Sequence, residues 1–184
     1  MAELREVAGY AAACAEPALA IFERHRPDDP RPRAALDEAR RFAAGGRRTK
    51  VLRVSALAAH SAARAAQEIG QQAAAHAARA AGHAGAAAYL HPLAKATQVR
   101  HILGSAAHAA RSVELEAGDD LNVGARYIQR VRGLANPTVV CVLTRYPNAP
   151  GGGDRAADLL RTLDSSLRAA ARSAWPVRPP DLRR

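Results

Sequence analysis

The sequence predicts an all-α protein, a compact bundle of about six to eight antiparallel, alanine-rich helices. Three observations carry this. Alanine supplies most of the 48% apolar content while aromatic residues make up only 4%, and alanine is the best helix former and lets helices approach closely. Apolar positions recur at spacings of three and four along most of the 184 residues. Proline, Gly–Gly and Gly–Asp signals punctuate those stretches at helix-like lengths.

In order, the first helix spans about 2–24 and lines up Leu4, Val7, Ala11, Cys14, Leu19 and Phe22, with Pro17 as a point where it can split or kink. "RPDDPRPR" is a stop and a new start, in which Asp28 or Asp29 can cap. The next helix, about 32–44, closes at Gly45–Gly46. Helices then follow over 48–68, ending near Gly70, over 71–90, ending before Pro92, and over 93–117, ending at "AGDD". An amphipathic helix over 121–135 should turn Val123, Tyr127, Ile128, Val131 and Leu134 inward. Thr138 to Leu143 is β-branched enough for a strand, yet Asn136–Pro137 opens helices well and a lone strand would lack a partner, so a short helix is favoured. After "NAPGGG" comes a last helix over 153–174. Residues 1–174 then read as one helical domain, and "PVRPPDLRR" belongs to a flexible tail over 175–184.

The formal charge of +10 invites a nucleic-acid reading. Only Lys50 and Lys95 among the 27 basic residues are lysine. The excess is dispersed: no block of five or six like charges occurs, and no basic stripe is interleaved with aromatics. Nucleic acid is therefore a weakly supported partner. Cys14 and Cys141 sit in no metal or redox spacing and read as buried thiols of a reducing compartment. "MAELREV" carries two glutamates where a secretion signal needs positive charge, and no apolar run reaches the ~20 residues of a membrane span. A cytoplasmic protein with no membrane partner is expected.

Histidine is the one chemically suggestive residue. Residues 51–110 hold six of the seven histidines and one acid, Glu68. "AAHSAAR" at 58–64 and "AAHAAR" at 74–79 and 106–111 repeat a pattern that puts His60 with Arg64, His76 with Arg79 and His108 with Arg111. On one helix, His76 and His83 lie ~10.5 Å apart along the axis, too far to share an ion. No two histidines stand three or four apart, and neither His-Glu-x-x-His nor Glu-x-x-His occurs. No resident metal or other cofactor is expected, although a cross-helix site from His60, His76 and His108 is the metalloprotein alternative. No residue qualifies as a nucleophile with its base, so no catalytic role is assigned. Gly82 and Gly85, inside a helix, argue that another helix passes close by. The histidine–arginine pairs then read as polar seams between helices, or as an electropositive surface suited to an acidic partner.

"PDDPRPRAALDEARRFAAGG", followed by "LAAHSAARAA" and "HAARAAGHAGAAAYLH", resembles the immunity protein family of bacterial polymorphic-toxin systems, in its alanine-rich, all-helical type with a fifth-type-like immunity domain. Asp29, Arg31, Pro32, Arg33, Arg40, Phe42, Gly45, His60 and Arg64 fit its pattern, and His76, Arg79, His83 and His91 fall in the His-Ala helix that follows. The resemblance covers about residues 1–115 and leaves 116–174 as divergent C-terminal helices. The Trp-Gln pair expected near the family's end is missing, and the chain is basic where inhibitors of basic nucleases tend to be acidic. What the resemblance implies is a cognate protein partner, a toxin, covered stoichiometrically by a rigid helical surface. A nucleic-acid-associated helical protein and a helical metalloprotein are the competing readings.

Overall fold

The computed structural model describes residues 1–174. The tail expected over 175–184 lies outside the described residues. Eight α-helices are present among them: α1 (Ala2–His25), α2 (Arg31–Ala43), α3 (Lys50–Glu68), α4 (Gln72–Ala86), α5 (Val99–Glu116), α6 (Leu121–Arg132), α7 (Pro137–Thr144) and α8 (Arg155–Ala174). Single 3₁₀ turns follow α4 at Ala87–Tyr89 and precede α5 at Ala96–Gln98. None of these helices is long and apolar enough to cross a membrane.

Local chemistry sets the boundaries. Thr49, Asp120 and Asn136 each accept a backbone N–H of the helix they open, and Asp154 does so for α8 through Ala157, at 3.0 Å. Gly45 and Gly70 end α2 and α3 at positive φ, 109° and 79°, a region closed to most side chains. Pro17 neither splits α1 nor ends it. The short helix favoured over a strand at Pro137 is α7.

Alanine decides the packing. In α4, Ala74, Ala75, Ala77, Ala78, Ala80, Ala81 and Ala84 are all fully buried, because this helix packs against α1, α2, α3 and α5 at once. A helix surrounded this way must be small on every side, as its composition dictates. Larger side chains fill the remaining volume: Phe22 and Leu19 of α1, Leu36 and Phe42 of α2, Ile102 and Leu103 of α5, then Ile128, Leu143 and Leu163 toward the C-terminus. Buried hydroxyls tie the layers, with Ser105 donating to the Ala11 carbonyl (2.6 Å), Ser112 to Ala73 (2.8 Å) and Tyr127 to Cys14 (2.7 Å).

Three expectations are corrected. The helix expected from 93 begins at Val99, since residues around Pro92 form a bend and a 3₁₀ turn. Leu134 is 47% exposed, because α6 ends at Arg132 and its inward stripe stops with Val131. Cys141 is exposed, on the outer side of α7, while Cys14 is buried in α1.

Candidate functional site

Helices α3, α4 and α5 bring four histidines into one contiguous group. His76 and His108 face each other across the α4–α5 seam with Nδ1 atoms 3.0 Å apart. His108 stacks on His83 at 5.1 Å between ring centroids, nearly parallel at 11°. His60 of α3 meets His83 edge-on, also at 5.1 Å. The axial gap between His76 and His83 on α4 is thus bridged by a ring from α5. His101 stands near enough for its charge to bear on His60 and His83.

Glycine makes room for these rings. A Cβ on Gly82 would lie 2.8 Å from His60 Nε2, and one on Gly104 would lie 3.1 Å from the His83 ring. Gly85 serves the backbone contact instead, since its Cβ would meet that of Ala56 at 2.9 Å. The helix expected to pass close to Gly82 and Gly85 is therefore α3.

With no carboxylate among them, the rings are held neutral. Burial lowers His76 to about 4, with the nearby Arg79 charge adding to the effect. His83 falls to about 3, first through burial and then through His60, His101, Arg100 and Arg79. His108 lies well below the usual imidazole range for the same reasons, and His60 and His101 are lowered too, chiefly by burial. His83 Nδ1 and His101 Nδ1 are buried without a hydrogen-bond partner.

The group opens on a cleft of about 350 Å³ lined by His83, His108, Arg100, Gly104 and, opposite, by the 150–160 segment with Gly153, Asp154 and Leu160. Among the described residues Asp154 is the one carboxylate lining it, and its Oδ1 is engaged in capping α8. Arg79 is half-buried beside the rings and its guanidinium donates to the neutral Gln67 side chain. Among the described residues no three His, Cys, Asp or Glu side chains are placed to hold a metal ion, so His60, His76 and His108 come together without forming a coordination site.

The other sequence candidates lie apart from this group. Arg31 closes back on Asp29 with Nε 2.8 Å from Oδ1. Arg33 clasps Glu23 (2.8 Å) and Glu16 (3.2 Å), and Arg40 pairs with Glu16, so both tie α2 to α1. Arg64 is exposed and donates to Ser61 (2.8 Å). Arg111 turns from His108 toward Glu114 and Asp119. His91 is exposed in the connection before α5, where its Nδ1 accepts the Leu93 N–H at 3.1 Å.

Sequence reasoning passed over Arg100 and Asp154, whose relevance comes from cross-element placement alone. It also passed over Glu114, a fully buried carboxylate held by Arg111 (3.0 Å) and Arg155 (2.6 Å). Glu114 to Arg111 is an i,i−3 pair visible in the chain, but its burial is not.

No curated protein and no solved structure matches the chain. The family model of the Imm-5 like putative immunity protein matches residues 2–136. The match runs through α6 to the cap of α7, further than the resemblance over 1–115, and it contains the whole histidine group but not the 150–160 wall of the cleft. The chain belongs to the Imm-5 like putative immunity protein family.

Proposed function

We propose that this protein is an immunity protein acting in the cytoplasm, a stoichiometric inhibitor that binds a cognate bacterial toxin and covers its active site. Family membership over residues 2–136 carries the reading. A surface suited to a protein partner accompanies it. On α3, Val51, Val54 and Leu57 are 58%, 52% and 62% exposed at successive spacings of three, with Lys50, Arg53 and Arg64 on the same helix. Apolar side chains ringed by cations favour a partner with an apolar centre and acidic rim. Tightness would come from the few apolar anchors, and encounter rate from the charge.

A toxin-like gene is expected beside this one, and co-expression of the two products is the test. The two should co-purify at equal stoichiometry and the cells should survive, and Leu57→Asp should weaken the complex by about tenfold or more. A toxin that kills equally with and without this protein removes the reading.

A further inference from the structure

We propose that the cleft beside the histidine group is an oxyanion site, taking a phosphate or carboxylate group against Arg100 with ring N–H groups of His83 and His108 as further donors. The charge inventory comes first. The cations whose charge bears on the rings are Arg64 of α3, Arg79 of α4, and Arg100 and Arg111 of α5. Among the described residues Asp154 is the one acid whose charge reaches the rings, and it reaches Arg79 as well. Arg111 is neutralised by Glu114 and Asp119, and Asp154 is engaged at the start of α8. Arg64, Arg79 and Arg100 have no ion-pair partner among the described residues, whereas Arg33, Arg155 and Arg168, also partly buried, each meet a carboxylate.

Arg100 lines the cleft without a carboxylate partner, so its guanidinium retains donors that an oxyanion would fill, and Arg79, held by one neutral amide, adds positive charge beside the rings. His83 Nδ1, buried and unpartnered, adds a second group that gains by a ligand, since an orphaned buried polar atom is costly to leave unmatched. The first turn of α8 borders the same cleft through Ala156 and Ala157, so its dipole acts in the same direction. A cation is disfavoured on the same grounds: the arginines repel it, and among the described residues no three ligand side chains converge. At about 350 Å³ the cleft exceeds a bare phosphate, so the group it takes is carried on something larger. That carrier is either a small phosphorylated or carboxylic molecule, or an acidic side chain of the protein partner. Only the second source rests on the inhibitor reading.

Histidine ring resonances of the intact protein should be followed while inorganic phosphate, and separately acetate, is added at about 0.15 M salt, where loose surface attraction is screened. Saturable shifts at His83 and His108, absent at His25 and His91, are expected with at least one probe. Arg100→Gln should weaken the response about tenfold or more, with its helical circular dichroism unchanged. Arg126→Gln, a control at an exposed position of α6, should leave it intact. Should Arg100→Gln fail to fold, the wild-type shift pattern decides alone. Equal shifts at all histidines, or none with either probe, overturn the site. Phosphate that displaces the toxin from wild-type protein identifies the carrier as a partner side chain. Phosphate bound without effect on that complex identifies it as a small molecule, and an absent toxin complex leaves the phosphate result standing.

Discussion

His76 Nδ1 lies 3.0 Å from His108 Nδ1 across two helices, so one ring must donate its proton and the other present a lone pair. Two protonated rings would aim like charges and two donors at each other. With His76 lowered to about 4 and His83 to about 3 by burial, the unfolded chain, whose imidazoles titrate near ~6.5, takes up protons first on acidification. Stability is therefore full above pH ~6.5 and is lost as pH falls toward 4. Between pH ~6.5 and ~5 each such ring should cost on the order of 2 kcal/mol. Urea denaturation across that interval measures it, and a midpoint that does not move disproves neutral burial of the group. His76→Gln should reduce the slope.

Glu114 is fully buried, yet its carboxylate is bound by two guanidiniums, Arg111 from its own helix and Arg155 from α8. Removing one member of such a group strands the others. Glu114→Ala should cost about 3–5 kcal/mol, and Glu114→Gln, which keeps an acceptor, noticeably less. Gly124→Ala should echo the effect, since a Cβ there would collide with the Glu114 carboxylate. Thermal unfolding ranks the three, and equal melting temperatures for Glu114→Ala and wild type would contradict this picture.

Most of the fold was legible because it is written locally. Asn136–Pro137, Gly45 and Gly70 mark helix ends by interactions within a few residues, whereas the Thr49 cap of α3 was passed over and its start placed at 48. Where a boundary depended on tertiary placement, the reading slipped: Leu134 follows the inward stripe of α6 in register but sits beyond its last turn. The histidine group was half legible. His60, His76, His83 and His108 stood out in composition, and spacing on one helix rightly separated His76 from His83. Their union depends on α5 laying His108 between them, a contact 25 and 32 residues distant in sequence that no periodicity encodes. Arg33 and Arg40, read as binding candidates, form ion pairs with Glu16 and Glu23 for the same long-range reason.

Glycines inside helices separate by what stands opposite. Gly85→Ala would press a methyl on the Ala56 Cβ, 2.9 Å away and part of a rigid helix. The overpacking, roughly 1–3 kcal/mol, should outweigh the ~1 kcal/mol of helix propensity gained. Gly9→Ala meets only Ala43 at an ordinary 3.5 Å, so in α1 the propensity term should win and stability should rise by about 0.5–1 kcal/mol. Gly82→Ala falls between them, because the His60 ring opposite can move. Chemical denaturation gives the order, and a Gly85→Ala protein as stable as Gly9→Ala would refute the close α3–α4 approach.

The two cysteines should behave as opposites. Burial pushes the Cys14 thiol up to about 12, and its side chain is fully enclosed in α1, so neither thiolate nor access is available near neutral pH. Cys141 is exposed on α7, with the Arg145 guanidinium 3.5 Å from its sulfur. A disulfide reagent added to native protein should modify one thiol promptly and the second at least about a hundredfold more slowly, at a rate set by opening of the bundle. Cys141→Ser should abolish the fast phase and leave the slow one. Two fast equivalents would mean that α1 does not hold Cys14 inside, and a fast phase surviving in Cys141→Ser would mean the same.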